Sequence, residues 1–223
     1  MRAVYVQELE SVRQNLVEMG ETTLSLLAEA LDAIADPRPD PSPKASELEA
    51  RTDHQYRFIH DRCVDLITLQ APVAGDARLI TGTLDAIVDL ELIGDYASEI
   101  VLLSSATRGR PPSQVSAQMV ALGAKIQECL SEAVDSWRNL DRAQGLSVRP
   151  QAVQIRAECG AFYAKLSRPT LGARVATANV NLMQISRHLE RIVRHAANIG
   201  DQAADAAPSV QDGSKAPATL AQN

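Results

Sequence analysis

The strongest constraint on this chain is an apolar stripe that occurs twice with one spacing. It first runs through Tyr5, Leu9, Val12, Leu16, Met19, Thr23, Leu27 and Ala30. It recurs 110 residues later as Val115, Met119, Leu122, Ile126, Cys129, Ala133, Trp137 and Leu140. Steps of three and four return to the same face of an α-helix, and this mixture is what helices in a bundle present to one another. A second stripe, Leu79, Thr83, Ala86, Leu90, Ile93, Ala97 and Ile100, returns 99 residues on as Ala178, Leu182, Ile185, Leu189, Ile192, Ala196 and Ile199. Any two amphipathic helices share a period, so phase alone proves little. Identity is stronger: Leu90, Glu91, Ile93, Ala97 and Ile100 match Leu189, Glu190, Ile192, Ala196 and Ile199. The chain therefore reads as an internal duplication.

Proline and glycine divide the stripes into six helices. The first ends at Asp36, where PRPDPSP begins, because a prolyl ring removes a donor and clashes with the preceding turn. Ser42-Pro43 is a helix start, with Ser as N-cap and Pro at the first helical position. That second helix turns Leu48, Thr52, Ile59, Cys63 and Leu66 inward and stops near Gln70, before Pro72 and Gly75. The third spans about Asp76 to Ser105, and RGRPP (108–112) is the next break. The fourth opens at Ser113 and is expected to end at Gln144-Gly145, with the fifth over Arg149 to Ser167 before Pro169. The sixth carries Leu171 to Ile199. Aromatics at 3% and the abundance of helix formers agree with an all-α fold. The expected architecture is two tandem, pseudo-symmetric three-helix bundles, 1–108 and 109–205. A tail over 206–223, rich in Ala, Pro, Ser and Gln, is expected to be disordered.

A formal net charge of −6 argues against nucleic-acid binding, which needs a basic surface to displace phosphate counterions. The N-terminus has no apolar core of a signal peptide, and the apolar run Ile100 to Leu103 is too short to span a bilayer. A cytoplasmic protein with no membrane insertion is expected. Cys63, Cys129 and Cys159 form no CxxC pair and read as buried free thiols. Carboxylate-bridged di-iron bundles use Glu-x-x-His, but Arg51, Arg57, Ile185 and Ile192 stand three residues before the four histidines. No Ser or Cys nucleophile with a base is evident, so no enzyme is expected.

The chemistry of the chain concentrates in residues 85–99, where Asp85, Asp89, Glu91, Asp95 and Glu99 place five acids in fifteen residues. Asp85 with Asp89, Glu91 with Asp95, and Asp95 with Glu99 are each four apart, one turn above each other. Like charges at that spacing cost a helix a few tenths of a kcal/mol per pair. A hard cation bridged by oxygen ligands would offset the cost, with Gly94 leaving room beside Glu91 and Asp95. The plainer alternative is a solvated acidic face, with Gly94 allowing close helix packing. In the second copy Glu190 answers Glu91, but Val193 and Arg194 replace Gly94 and Asp95. Glu190 and Arg194 are expected to form a helical ion pair, and Arg187, Arg191 and Arg194 a basic stripe that repels a cation.

These residues resemble the PhoU family, regulators of bacterial phosphate transport whose signature is close to DLERIGDxAxNI in each half. Here it stands as DLELIGDYASEI (89–100) and HLERIVRHAANI (188–199). LQAPVAGDARLI (69–80) is similar to the segment that precedes the first copy, with Gln70, Pro72, Asp76 and Arg78 in place. The resemblance covers about residues 1 to 205. It implies two three-helix bundles side by side and no catalysis. It also implies iron or zinc held by acidic motifs: Asp89, Glu91 and Asp95 in the first half, and only Glu190 in the second. Partners implied are the ATPase of the phosphate ABC transporter and the phosphate-sensing histidine kinase, with repression of the starvation response when phosphate is plentiful. A homodimer is expected, and Arg78 is a candidate partner contact. Two alternatives remain open on the residues: a metal-free scaffold paralogue, motivated by Arg194, and a carboxylate-bridged metalloenzyme.

Overall fold

The computed structural model describes residues 2–107, 113–167 and 173–208. They form six helices: α1 (Arg2–Ala35), α2 (Pro43–Gln70), α3 (Ala74–Ala106), α4 (Ser113–Asn139), α5 (Arg142–Leu166) and α6 (Ala173–Ala206). Helices α1, α2 and α3 pack on one another, as do α4, α5 and α6. The two sets join through α1 against α4 and α3 against α6, while α2 and α5 lie on the outside. Two tandem three-helix bundles thus share a central layer of four helices.

The twice-written stripe is the reason. Leu9, Val12, Leu16, Met19, Thr23 and Leu27 of α1 are buried, and so are Met119, Leu122, Ile126, Cys129, Ala133 and Trp137 of α4. Each side chain removed from water contributes about 1.5–3 kcal/mol for a residue of Leu or Met size. The two helices run antiparallel and approach closely where each carries a glycine. Gly20 faces Val134 and Gly123 faces Leu31. Trp137 is fully buried, and its indole N–H donates to the Ile199 carbonyl at 3.1 Å, which ties α4 to α6.

The turn between α4 and α5 differs from the expectation. Helix α4 stops at Asn139, Leu140 takes the left-handed conformation at φ 48°, and α5 begins at Arg142. The signal lay in Asp141, whose carboxylate accepts from the amides of Ala143 at 2.8 Å and Gln144 at 3.1 Å. Gly145 is not a terminator. It lies within α5, where a Cβ would stand 2.5 Å from the Gly200 carbonyl oxygen and 3.0 Å from the Ala204 amide nitrogen. Its role is to let α5 cross α6 with backbones nearly touching. At Ser42 the N-cap position is as expected, but the hydroxyl donates to Glu29 at 2.8 Å instead of capping α2.

Helix α6 runs past the expected boundary at 205, with Ala206 and Ala207 buried against the core. Residues 209–223, which hold most of the expected tail, lie outside the described residues, as do RGRPP and Leu171. Among the described residues no helix is long and apolar enough to cross a membrane.

Gly145→Ala separates the two readings of that glycine. By helix propensity alone, alanine stabilises by about 1 kcal/mol. Against backbone atoms that cannot rotate away, overpacking costs about 1–3 kcal/mol. A lower thermal midpoint for the variant is expected in a calorimetric melt, and a higher one contradicts the crossing.

Candidate functional site

Asp89 is 7% exposed and faces the seam between the two halves. Its Oδ1 is 2.5 Å from His195 Nδ1 and accepts from Asn198 Nδ2 at 3.2 Å, while Oδ2 accepts from Gln202 Nε2 at 2.8 Å. All three partners lie on α6, so one carboxylate clamps α3 to it. Tyr96 packs beside this clamp, its ring centroid 5.8 Å from that of His195 and 5.4 Å from that of His188. His188 Nε2 is 3.0 Å from Glu99 Oε2. Burial is the main cause that depresses the His188 pKa, with Arg191 adding to it and Glu99 opposing.

The structure therefore divides the expected first-half ligand set. Glu91 and Asp95 remain together, one turn apart on α3, but Asp89 is turned away and its oxygens are engaged. Residues two apart on a helix differ by about 200°, so an Asp89 that faces α6 leaves Glu91 on the opposite side. Burial pushes the Glu91 pKa up, and Asp95 and Asp53 push it further. Asp95 is also raised, by burial first and then by Asp53, Glu49 and Glu99. Glu49 and Asp53 belong to α2, so the acidic face extends across the α2–α3 groove. Their own spacing of four was a legible signal, identical in kind to that of Glu91 and Asp95. Gly94 is buried, and a Cβ there would meet Thr52 at 3.4 Å and Leu26 at 3.8 Å. Its place is in the packing of α2 on α3. As they stand, no three His, Cys, Asp or Glu side chains among the described residues converge to hold a metal ion.

In the second half Glu190 is paired, but not with Arg194. It bonds Arg187 at 2.9 Å and lies 3.7 Å from Arg156 of α5. Arg187 is held beside it by stacking, its guanidinium carbon 4.0 Å from the Tyr163 ring centroid. Arg194 instead reaches His195 Nε2 at 3.3 Å. Arg78 is exposed near the start of α3. Cys63, Cys129 and Cys159 are free and buried, with burial pushing the three thiols up to about 12, about 12 and about 11. Such thiols are inert packing residues.

A duplicated helical chain with an acidic groove in one half and a basic one in the other is the class that fold and site define. The PhoU domain model matches residues 16–103 and 119–203, one match in each half, and the chain belongs to the PhoU family. It is 28% identical over 201 residues to the phosphate-specific transport system accessory protein PhoU homolog of Synechocystis sp., covering 90% of both chains. The homolog of the same name in Pseudomonas aeruginosa is 27% identical, over 87% of this chain and 81% of that one. The crystal structure of PhoU from P. aeruginosa superposes with a TM-score of 0.82 at 27% identity, over 89% of this chain and 96% of that one. The phosphate transport system regulatory protein PhoU from Streptococcus pneumoniae superposes at 0.80 over 89% and 94%, and its 19% identity carries the fold alone. These relatives are named as accessory and regulatory proteins, not as enzymes.

Two substitutions test the roles assigned here. Asp89→Ala strands one buried donor, His195, and two half-buried ones, Asn198 and Gln202, on α6 and is expected to destabilise by roughly 2–3 kcal/mol in denaturant melts. An effect under about 0.5 kcal/mol contradicts the clamp. For Asp95 the folded pKa lies above the unfolded one. Its stabilising protonated form is complete below the unfolded value, and that stability is lost as pH rises through the folded value. Asp95→Asn should therefore raise the thermal midpoint of metal-free protein at neutral pH, with the gain shrinking toward about pH 4. A gain independent of pH contradicts the repulsion.

Proposed function

We propose that this chain regulates phosphate uptake as an accessory protein of a phosphate transport system. The observation that carries the reading is the PhoU domain match in each half, over relatives named for that role. More specifically, it acts as an adaptor between the transporter ATPase and a phosphate-sensing histidine kinase in the cytoplasm, as a homodimer, restraining the starvation response when phosphate is plentiful. Arg78, exposed near the start of α3, is the side chain offered to a partner.

Glu91 and Asp95 are the residues that hold a cation, with Asp53 of α2 across the groove. Support comes from the raised pKa values of Glu91 and Asp95, which mark carboxylates partly desolvated and crowded by neighbouring acids. Such oxygens suit a hard or borderline ion such as iron or zinc. A bound ion supplies positive charge that offsets their repulsion. Asp89 and Glu190 are left out of this set, because both are engaged elsewhere.

The second reading, a metal-free scaffold, is favoured by the arginines of the second half and by the lack of a converged ligand set among the described residues. Elemental analysis of native protein decides between them. Iron or zinc that is lost in the Glu91→Ala, Asp95→Ala double variant supports the cation, and metal-free native protein supports the scaffold. For the adaptor role, the purified chain should retain the cognate ATPase and kinase in a pull-down, and its deletion should raise phosphate-starvation expression in phosphate-rich medium. Retention of neither, with expression unchanged, sinks the proposal.

A further inference from the structure

The acidic groove of the first half has a counterpart of opposite charge. Between α5 and α6 lies a cavity of about 240 Å³ lined by Arg156, Arg187, Glu190, Arg191 and Arg194. By the offset of 99, Arg187, Arg191 and Arg194 stand where the first half has Val88, Leu92 and Asp95. Arg156 approaches Glu190 from α5, as Asp53 approaches Glu91 from α2. The same pair of helices thus gathers carboxylates in one half and guanidiniums in the other.

Four guanidiniums share one carboxylate. Glu190 engages Arg187 and Arg156, and neither Arg191 nor Arg194 has a carboxylate within salt-bridge distance among the described residues. All four arginines are exposed, so water screens their repulsion, and the surplus of three positive charges around one carboxylate makes the site attractive to an anion. Two of the four are held in place by rings: Arg187 over Tyr163 at 4.0 Å and Arg191 over Tyr96 at 5.4 Å. Such stacking lowers the entropy lost when a guanidinium fork binds an oxyanion. Tetrahedral phosphate presents several charged oxygens to several forks at once, where a single carboxylate presents two. A cavity bounded by one turn of α5 and two of α6 matches a small ligand better than an extended chain.

We propose that this arginine-lined cavity binds a phosphate-class oxyanion, as inorganic phosphate or as a phosphate monoester. The site stands on these residues alone and does not depend on the adaptor reading or on metal in the first half.

The test is isothermal titration of the metal-free full chain with inorganic phosphate, with phosphoserine, and with sodium chloride at matched ionic strength. Saturable one-site binding of phosphate or phosphoserine is expected, and whichever binds more tightly identifies the source. The Arg191→Leu, Arg194→Asp double variant restores the first-half residues and should weaken binding by tenfold or more. Arg156→Gln, on a different helix, reads the same loss if the double variant fails to fold, with the thermal midpoint as the control. Three outcomes overturn the proposal: no saturable binding of either phosphate below about 10 mM, heat reproduced by chloride, or variants that bind as well as wild type. Tighter binding of a poly-glutamate peptide than of either phosphate also overturns it, because it makes the cavity a protein-docking surface.

Discussion

The architecture depends on what happens to one carboxylate at the seam between the halves. A charge taken from water without partners costs many kcal/mol, so a buried Asp89 is tolerable only if its oxygens are satisfied. His195, Asn198 and Gln202 do this from successive turns of α6. Hydrophobic burial is non-directional, so the apolar stripes alone specify the register of α3 on α6 weakly. The three donors match Asp89 in one register alone, so the polar cluster selects what the hydrophobic surface leaves open. The rest follows from helix geometry. With Asp89 inward, Glu91 and Asp95 are turned to the α2–α3 groove and Glu190 to the α5–α6 groove.

Duplication then supplies two equivalent grooves on one frame, and the side chains that fill them have diverged. In the first, burial and then the crowding of Glu49, Asp53, Glu91 and Asp95 raise the pKa values of Glu91 and Asp95. In the second, four arginines surround Glu190. The apolar positions beneath, Leu90, Ile93, Ala97 and Ile100 against Leu189, Ile192, Ala196 and Ile199, are the same residues and all buried. The core is constrained by packing in both copies, whereas a groove side chain answers only to its neighbours and its ligand. Opposite charge in the two grooves therefore costs the fold little.

Most of the fold was legible because its signals are local. Stripe spacing marked the buried faces of α1, α3, α4 and α6, and prolines marked the ends of α1 and α2. The α4–α5 turn was misplaced because Gly145 carries two meanings, stop or close crossing, and only the presence of Gly200 opposite distinguishes them. In the candidate site, the pairing of Glu91 with Asp95 was legible from spacing, and that of Glu49 with Asp53 was available by the same rule. The diversion of Asp89 was not, since its partners lie more than a hundred residues away. Nor was the choice of Arg187 over Arg194 by Glu190, which turns on Tyr163 of a different helix.

The central claim is that Asp89 holds the two halves in register, and a double-mutant cycle between Asp89→Ala and Gln202→Ala measures it most directly. If the two side chains act as one unit across the seam, the unfolding free energies of the single and double variants should reveal a coupling of about 1 kcal/mol or more. Additivity within about 0.3 kcal/mol would contradict the clamp. It would also return Asp89 to the candidate ligands of the first groove.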